Sequence, residues 1–303
     1  MKKIFVAGHN GLVGSSVVRA VEKYKDLELL VADRNVLDLR RQDEVEFFFR
    51  AVRPDYVVLA AAKVGGILAN STYPAEFIYE NLAIQTNVIH AAYKQGVEKT
   101  VVLGSSCIYP KMCSQPIKEE YLLTGPLETT NEAYAVAKIA GLKMAEYYAK
   151  QYGMNVVSLM PTNLYGINDN FDRDSSHVMP ALMSKFYAAA LVGAKEVECW
   201  GTGLPRREFL HVDDLASAIM HVILTDQKGL LNVGTGTDIT IKELSELVAN
   251  VIGYRGTIKW DSSKPDGTPR KVLDITRIKE TGWEPKIRLE DGIRSTFVWY
   301  KNV

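Results

Sequence analysis

Lys3-Ile4-Phe5-Val6-Ala7-Gly8-His9-Asn10-Gly11-Leu12-Val13-Gly14 opens the chain, and its reading decides the fold. Ile4 to Ala7 is an apolar run that reads as a buried strand, and the residues after Gly14 read as a helix to about Tyr24. A glycine turn placed between strand and helix is a dinucleotide-binding pattern. Gly8 permits the tight turn, Gly11 lets backbone approach a pyrophosphate, and Gly14 lets helix and strand pack closely. His9, Asn10, Leu12 and Val13 complete the turn and lead into the helix. Its N-terminus offers free N–H groups and a partial positive charge to phosphates.

Working outward, Leu27 to Ala32 reads as the second strand and ends at Asp33-Arg34, where the adenosine ribose is read in such sites. Asp33 favours a free 2′-hydroxyl, hence NAD; Arg34 can clamp a 2′-phosphate, hence NADP. Composition leaves both open. The alternation continues with a helix over Gln42–Val52, a strand over Asp55–Ala61, a small-residue loop to Gly66, a helix over Pro74–Gln95 and a strand over Thr100–Leu103. A helix over Asn131–Tyr152 and a strand over Asn155–Met160 follow. This rhythm predicts an α/β fold with a Rossmann-like, doubly wound parallel sheet, whose ligands sit at the carboxyl ends of the strands. The glycine turn, Asp33-Arg34, the Ala61 loop and Ser105 all fall there.

Beyond Gly166 the rhythm loosens. A polar loop over Asn168–Ser176, a helix over Val178–Ala190 and a strand over Glu196–Trp200 come next. A helix starting at His211-Val212-Asp213-Asp214, a strand over Leu230–Val233, a helix with a capping box at Thr240 and a basic loop over Lys264–Lys271 complete the chain. The expected organisation is a dinucleotide-binding domain over residues 1–165 with a later contribution from about 208–235. Residues 166–207 and 236–303 would form a smaller, interleaved C-terminal α/β substrate domain.

Lysine plus arginine equals aspartate plus glutamate, 36 each, which gives no reason to expect nucleic acid or an anionic membrane as partner. Three cysteines without a CxxC pair suggest reduced thiols and a cytoplasmic setting. The chain starts directly in a strand, so no signal peptide is expected, and no apolar run reaches the ~18 residues of a membrane span. No metal site is expected.

The chemistry centres on Leu103-Gly104-Ser105-Ser106-Cys107-Ile108-Tyr109-Pro110 and on Tyr134-Ala135-Val136-Ala137-Lys138. Tyr134 and Lys138 are one helical turn apart on one face. With Ser105 and Cys107 they are suited to meet a carbonyl group beside a nicotinamide ring. The glycine turn, the serine after the fourth strand and Tyr134-x-x-x-Lys138 resemble an extended short-chain dehydrogenase/reductase. Within that superfamily the chain is similar to the GDP-L-fucose synthase family. The similarity is carried by Gly8-His9-Asn10-Gly11, Ala62-Lys63-Val64-Gly65-Gly66-Ile67, Ser105 to Pro110, Pro161-Thr162-Asn163-Leu164-Tyr165-Gly166 and Arg207-Glu208-Phe209-Leu210-His211-Val212-Asp213-Asp214. Members convert GDP-4-keto-6-deoxy-D-mannose to GDP-L-fucose, epimerising C3 and C5 and then reducing the C4 ketone with NADPH.

The resemblance implies roles. A phenol of pKa ~10 needs perturbation to act near neutrality, and a nearby cation lowers its pKa. Tyr134 would supply the proton, Lys138 would tune it and bind the nicotinamide ribose, and Ser105 would hydrogen-bond the carbonyl oxygen. Epimerisation needs a base and an acid on opposite faces of an enolate; the resemblance assigns Cys107 and His177. By the residues alone Cys107 is a small buried hydrophobe, the reading kept for Cys113 and Cys199. The NADP(H) site would take in the Gly8–Gly14 turn, Arg34, Leu103, Gly104, Ser105, Ser106, Lys138, Pro161, Thr162, Asn163, Leu164 and His177. Lys185, Trp200, Arg207 and Asp266 would hold the nucleotide sugar. Asn10 stands where family members carry arginine, which leaves Arg34 as the main candidate for the 2′-phosphate. The family habit further implies a homodimer.

Overall fold

The computed structural model describes residues 1–172, 176–264 and 266–303. Part of the expected polar loop at 168–176, and Pro265 of the basic loop, lie outside the described residues. Five strands of the main sheet come from residues 1–161: β1 Lys2–Ala7, β2 Leu27–Leu30, β3 Tyr56–Leu59, β4 Lys99–Leu103 and β5 Val156–Pro161. The sixth is Gly229–Val233, and the order across the sheet is Gly229–Val233, β5, β4, β3, β1, β2. Every neighbouring pair is parallel. β5 is buried at every residue, which is what a near-continuous apolar run covered on both faces requires. The α-helices in chain order are α1 Leu12–Val21, α2 Gln42–Val52, α3 Ile67–Thr72, α4 Pro74–Lys94, α5 Glu132–Tyr152, α6 Val178–Leu191, α7 Val212–Leu224, α8 Ile241–Ile252, α9 Thr276–Glu280 and α10 Leu289–Tyr300.

β2 lies on one side of β1 and β3 on the other, so the direction of winding reverses at β1. The crevice between the ends of β1 and β3 is therefore the switch point where α/β sheets take ligands. The register Ala7↔Leu59 brings Gly8 beside Ala60 and Ala61. β2 stops at Leu30 rather than Ala32, because only Lys2 to Phe5 of β1 pair with it; Val31 is already exposed. α5 begins at Glu132, after a tight turn over Thr129–Asn131, and ends at Gly153 in the left-handed region. α3 escaped the sequence reading because Gly65-Gly66 reads as loop. Asn70 secures its start by donating to the Gly65 and Gly66 carbonyls at 2.7 and 3.0 Å.

One apolar core joins the main sheet to its helices and takes in Leu273, Ile275, Ile278 and Trp283 from late in the chain. Lys99 sits inside it with its ammonium on the carbonyls of Val222, Thr225 and Gln227 at the end of α7, so a buried cation caps a helix C-terminus. A second core gathers Tyr165, Met179, Met183, Phe186, Val197, Phe209, Leu244, Val248 and Ile293. Around it Glu196–Trp200 pairs in parallel with Thr257–Asp261, a strand too polar to read from sequence. Arg206–Arg207 pairs with both Ile239–Thr240 and Arg270–Lys271, and Asn163–Tyr165 runs parallel to Phe209–His211. Among the described residues no helix is long and apolar enough to cross a membrane.

Candidate active site

A cavity of about 640 Å³ opens at the carboxyl ends of β1, β3, β4 and β5. That is the size range of small-molecule and cofactor sites. Gly8 takes φ +86°, and a Cβ there would lie 2.7 Å from the Ala61 backbone; a Cβ on Gly14 would lie 2.0 Å from the Gly8 carbonyl oxygen. The turn is thus a cradle that side chains would fill, and α1 begins on the cavity wall at Leu12, Val13 and Gly14. These features fit a dinucleotide pyrophosphate.

β4 ends by carrying Leu103, Gly104, Ser105, Ser106 and Cys107 into the cavity wall. Ser105 is extended, and its hydroxyl accepts the Cys107 N–H at 3.2 Å, which caps the short turn Ser106–Ile108 and fixes the thiol next to it. From α5, Tyr134 reaches the same wall. Ser105 and Cys107 both act electrostatically on its hydroxyl. Its ring meets Phe77 edge-on, with centroids 6.5 Å apart. Lys138 is buried, donates to the Leu103 carbonyl at 2.8 Å and stands 5.8 Å from the centre of the Tyr134 ring. Burial brings the Lys138 ammonium down to about 8 and pushes the Tyr134 phenol above its ordinary range. The sequence expectation that Lys138 lowers the Tyr134 pKa is not met: the ammonium is held by a carbonyl, and burial and the nearby thiol dominate. The phenol is therefore a protonated acid at neutral pH, the form a reduction consumes.

His177 precedes α6, opens onto the cavity and has its pKa lowered by the surrounding protein. The whole expected cofactor set lines the cavity, from Gly8 to Gly14 through Arg34, Leu103 to Ser106 and Lys138 to Pro161, Thr162, Asn163, Leu164 and His177. The four expected substrate residues do not line it. Lys185 donates to the Glu198 carbonyl, Trp200 is 70% exposed with Lys264 5.7 Å over its ring, and Asp266 accepts from Thr202 N at 2.9 Å and Thr202 Oγ1 at 2.6 Å. Arg207 joins this surface to the cavity. It donates to the Thr268 carbonyl at 2.6 Å and feels the charges of both Cys107 and Asp266.

Two groups were missed. Glu208 is fully buried and accepts from the N–H groups of Thr235, Gly236 and Leu273 at 2.6, 2.7 and 2.9 Å, while its own carbonyl accepts from Thr162 and Asn163. An acid flanked by Arg207 and the apolar Phe209-Leu210 was the available signal. At the adenosine end, Asp38, Arg40, Lys63 and Glu80 also line the cavity; separate stretches supply them, so no sequence window shows them together.

The model of the NAD dependent epimerase/dehydratase family matches residues 4–234. The chain belongs to this family. Within it, the chain is 57% identical over 301 residues to "Putative GDP-L-fucose synthase 2" of Arabidopsis thaliana, covering 98% of this chain and 91% of that protein. It is 52% identical over 309 residues to the GDP-L-fucose synthase of Escherichia coli (strain K12), covering 99% and 96%. Among solved structures, MlghC, a GDP-mannoheptose C4 reductase from Campylobacter jejuni with NADP bound, superposes with a TM-score of 0.92 at 39% identity, covering 99% of this chain and 98% of that chain.

Proposed function

We propose that this chain converts GDP-4-keto-6-deoxy-D-mannose to GDP-L-fucose, by epimerisation at C3 and C5 followed by reduction at C4 with NADP(H). The observation that carries the reading is the meeting of Ser105, Cys107 and Tyr134 at the end of β4, in a cavity whose other end is the Gly8–Gly14 cradle. The Gly8–Gly14 cradle and Lys138 would hold a reduced nicotinamide dinucleotide, which would supply the hydride for the C4 carbonyl carbon. Ser105 and Tyr134 donate hydrogen bonds to the carbonyl oxygen, and the Tyr134 proton passes to the oxygen as negative charge develops. Lys138 stays close enough to offset the charge left on the phenol.

For epimerisation, a proton next to the ketone is removed from one face and returned to the other. Cys107 is the base, and the Arg207 guanidinium interacts electrostatically with it. His177, which precedes α6 and lines the same cavity, is the acid. Lys185 and Arg207 meet the diphosphate, the exposed Trp200 offers a ring face to the sugar or base, and Asp266 hydrogen-bonds the nucleotide sugar. Two copies would pair through α4 and α5, whose exposed Tyr79, Val136, Tyr147 and Tyr152 suit such a contact, in the cytoplasm where free thiols persist. The test is the product formed from GDP-4-keto-6-deoxy-D-mannose and NADPH, identified by NMR, with light scattering for the dimer. Unchanged substrate, or a 4-hydroxy product retaining the D-manno configuration at C3 and C5, would sink the assignment.

A further inference from the structure

We infer that this chain binds NADH within tenfold of NADPH, and that Asp33, steadied by Asn10, sets the ratio. The inference rests on the proposed dinucleotide site and concerns its adenosine end. Asp33 follows the second strand and lines the cavity together with Asn10 from the glycine turn. Asn10 Nδ2 donates to Asp33 Oδ1 at 2.8 Å, and His9 Nε2 lies 3.4 Å from the same oxygen. The carboxylate is thereby held at the position that reads the ribose. A carboxylate accepts a hydrogen bond from a 2′-hydroxyl and repels a 2′-phosphate. Asn10 is neutral and brings no charge to offset that repulsion.

The cations nearby are already engaged. Arg40 is paired to both oxygens of Asp38, with Nε–Oδ1 at 2.9 Å and Nη2–Oδ2 at 2.6 Å. Lys63 is paired with Glu76 and, at 3.0 Å, with Glu80. Arg34 is the loosest of the three: it is well exposed and lies 3.6 Å from Glu80. A 2′-phosphate can recruit Arg34 by drawing it off Glu80, and in doing so must sit beside Asp33. An unsubstituted ribose loses the arginine and gains the carboxylate. The two contributions oppose each other, so neither dinucleotide is strongly preferred.

The test is isothermal titration of the purified enzyme with NADPH and with NADH, repeated with 2′,5′-ADP and 5′-AMP, and again on Asp33→Ser and Asn10→Arg. In the wild type the two affinities should lie within tenfold. Each variant should move the NADPH:NADH ratio about tenfold toward NADPH, which corresponds to about 1.4 kcal/mol. A wild-type preference of tenfold or more for either dinucleotide overturns the inference and leaves the reductase reading intact. An unmoved ratio in Asp33→Ser removes Asp33 from its role. Absence of binding by either dinucleotide sinks this inference and the proposed reduction together.

Discussion

Lys138→Met should raise the melting temperature of the cofactor-free protein while abolishing turnover. The ammonium is 3% exposed, has one carbonyl partner, and no carboxylate accounts for its shifted pKa. Folding lowers its pKa from 10.5 to about 8. Between those values the unfolded chain holds the proton and the folded one does not, so stability rises with pH across that window; below about 8 the penalty is constant. At 1.36 kcal/mol per pH unit, the gap corresponds to about 3 kcal/mol carried by the folded protein at pH 7. Methionine fills the same space without charge but leaves the Leu103 carbonyl unpaired, at a cost of about 1 kcal/mol. The net gain is about 2 kcal/mol, or roughly 4 °C in a chain of this size. Differential scanning calorimetry from pH 7 to 10.5 on both proteins gives the decisive comparison. Wild type should gain about 3 kcal/mol on the variant over that range. Parallel pH profiles, with the variant no more stable than wild type at pH 7, refute the claim that Lys138 is held against a desolvation penalty.

Other expectations are more local. Tyr134→Phe should lower kcat for the reduction by about 10²–10⁴ with dinucleotide affinity unchanged, measured by stopped-flow oxidation of NADPH and by titration. Cys107→Ser should abolish deuterium uptake at C3 and C5 in heavy water, followed by NMR; undiminished exchange removes Cys107 as the base. Gly14→Ala drives a Cβ to 2.0 Å from the Gly8 carbonyl, so helix and turn must separate. It should cost about 1–3 kcal/mol in denaturant melts and eliminate dinucleotide binding. Glu208→Gln must turn its amide NH2 either toward the Leu273 N–H or toward the N–H groups of Thr235 and Gly236, and should destabilise by about 2–4 kcal/mol, read as a fall in urea midpoint.

The main sheet was legible because its strands are short apolar runs with turn signals at both ends, and Gly8, Gly11 and Gly14 fix where the first strand meets its helix. What the runs do not carry is the partner of each strand end. β2 was read two residues too long because nothing in Val31-Ala32 says that β1 turns from β2 toward β3. The second unit was harder for a related reason. Its strands are two to five residues long, several carry charged residues such as Arg206-Arg207 and Arg270-Lys271, and their partners lie tens of residues away. Lys138 as a neighbour of Tyr134 followed from helix spacing alone. That burial, rather than the ammonium, would set the Tyr134 pKa did not follow, because desolvation depends on everything packed around the phenol.

The placement of Arg207 ties the two halves of the proposed reaction to one another. It stands on a strand of the second unit, holds the Thr268 carbonyl, and yet acts on Cys107 at the end of β4. Next to it, the Glu208 side chain joins the turn after Gly229–Val233 to Leu273, and the Glu208 backbone joins Thr162 and Asn163 on the cavity wall. Under the proposed function, a nucleotide sugar gripped by Arg207 would be registered against the same backbone that lines the cavity. Cys107, Ser105 and Tyr134 share one corner of it. In the proposed reaction a sugar ring held there would present its C4 carbonyl to the phenol and its neighbouring carbons to the thiol. Epimerisation and reduction then need only a change in which group reacts, with no release of the keto-sugar between them.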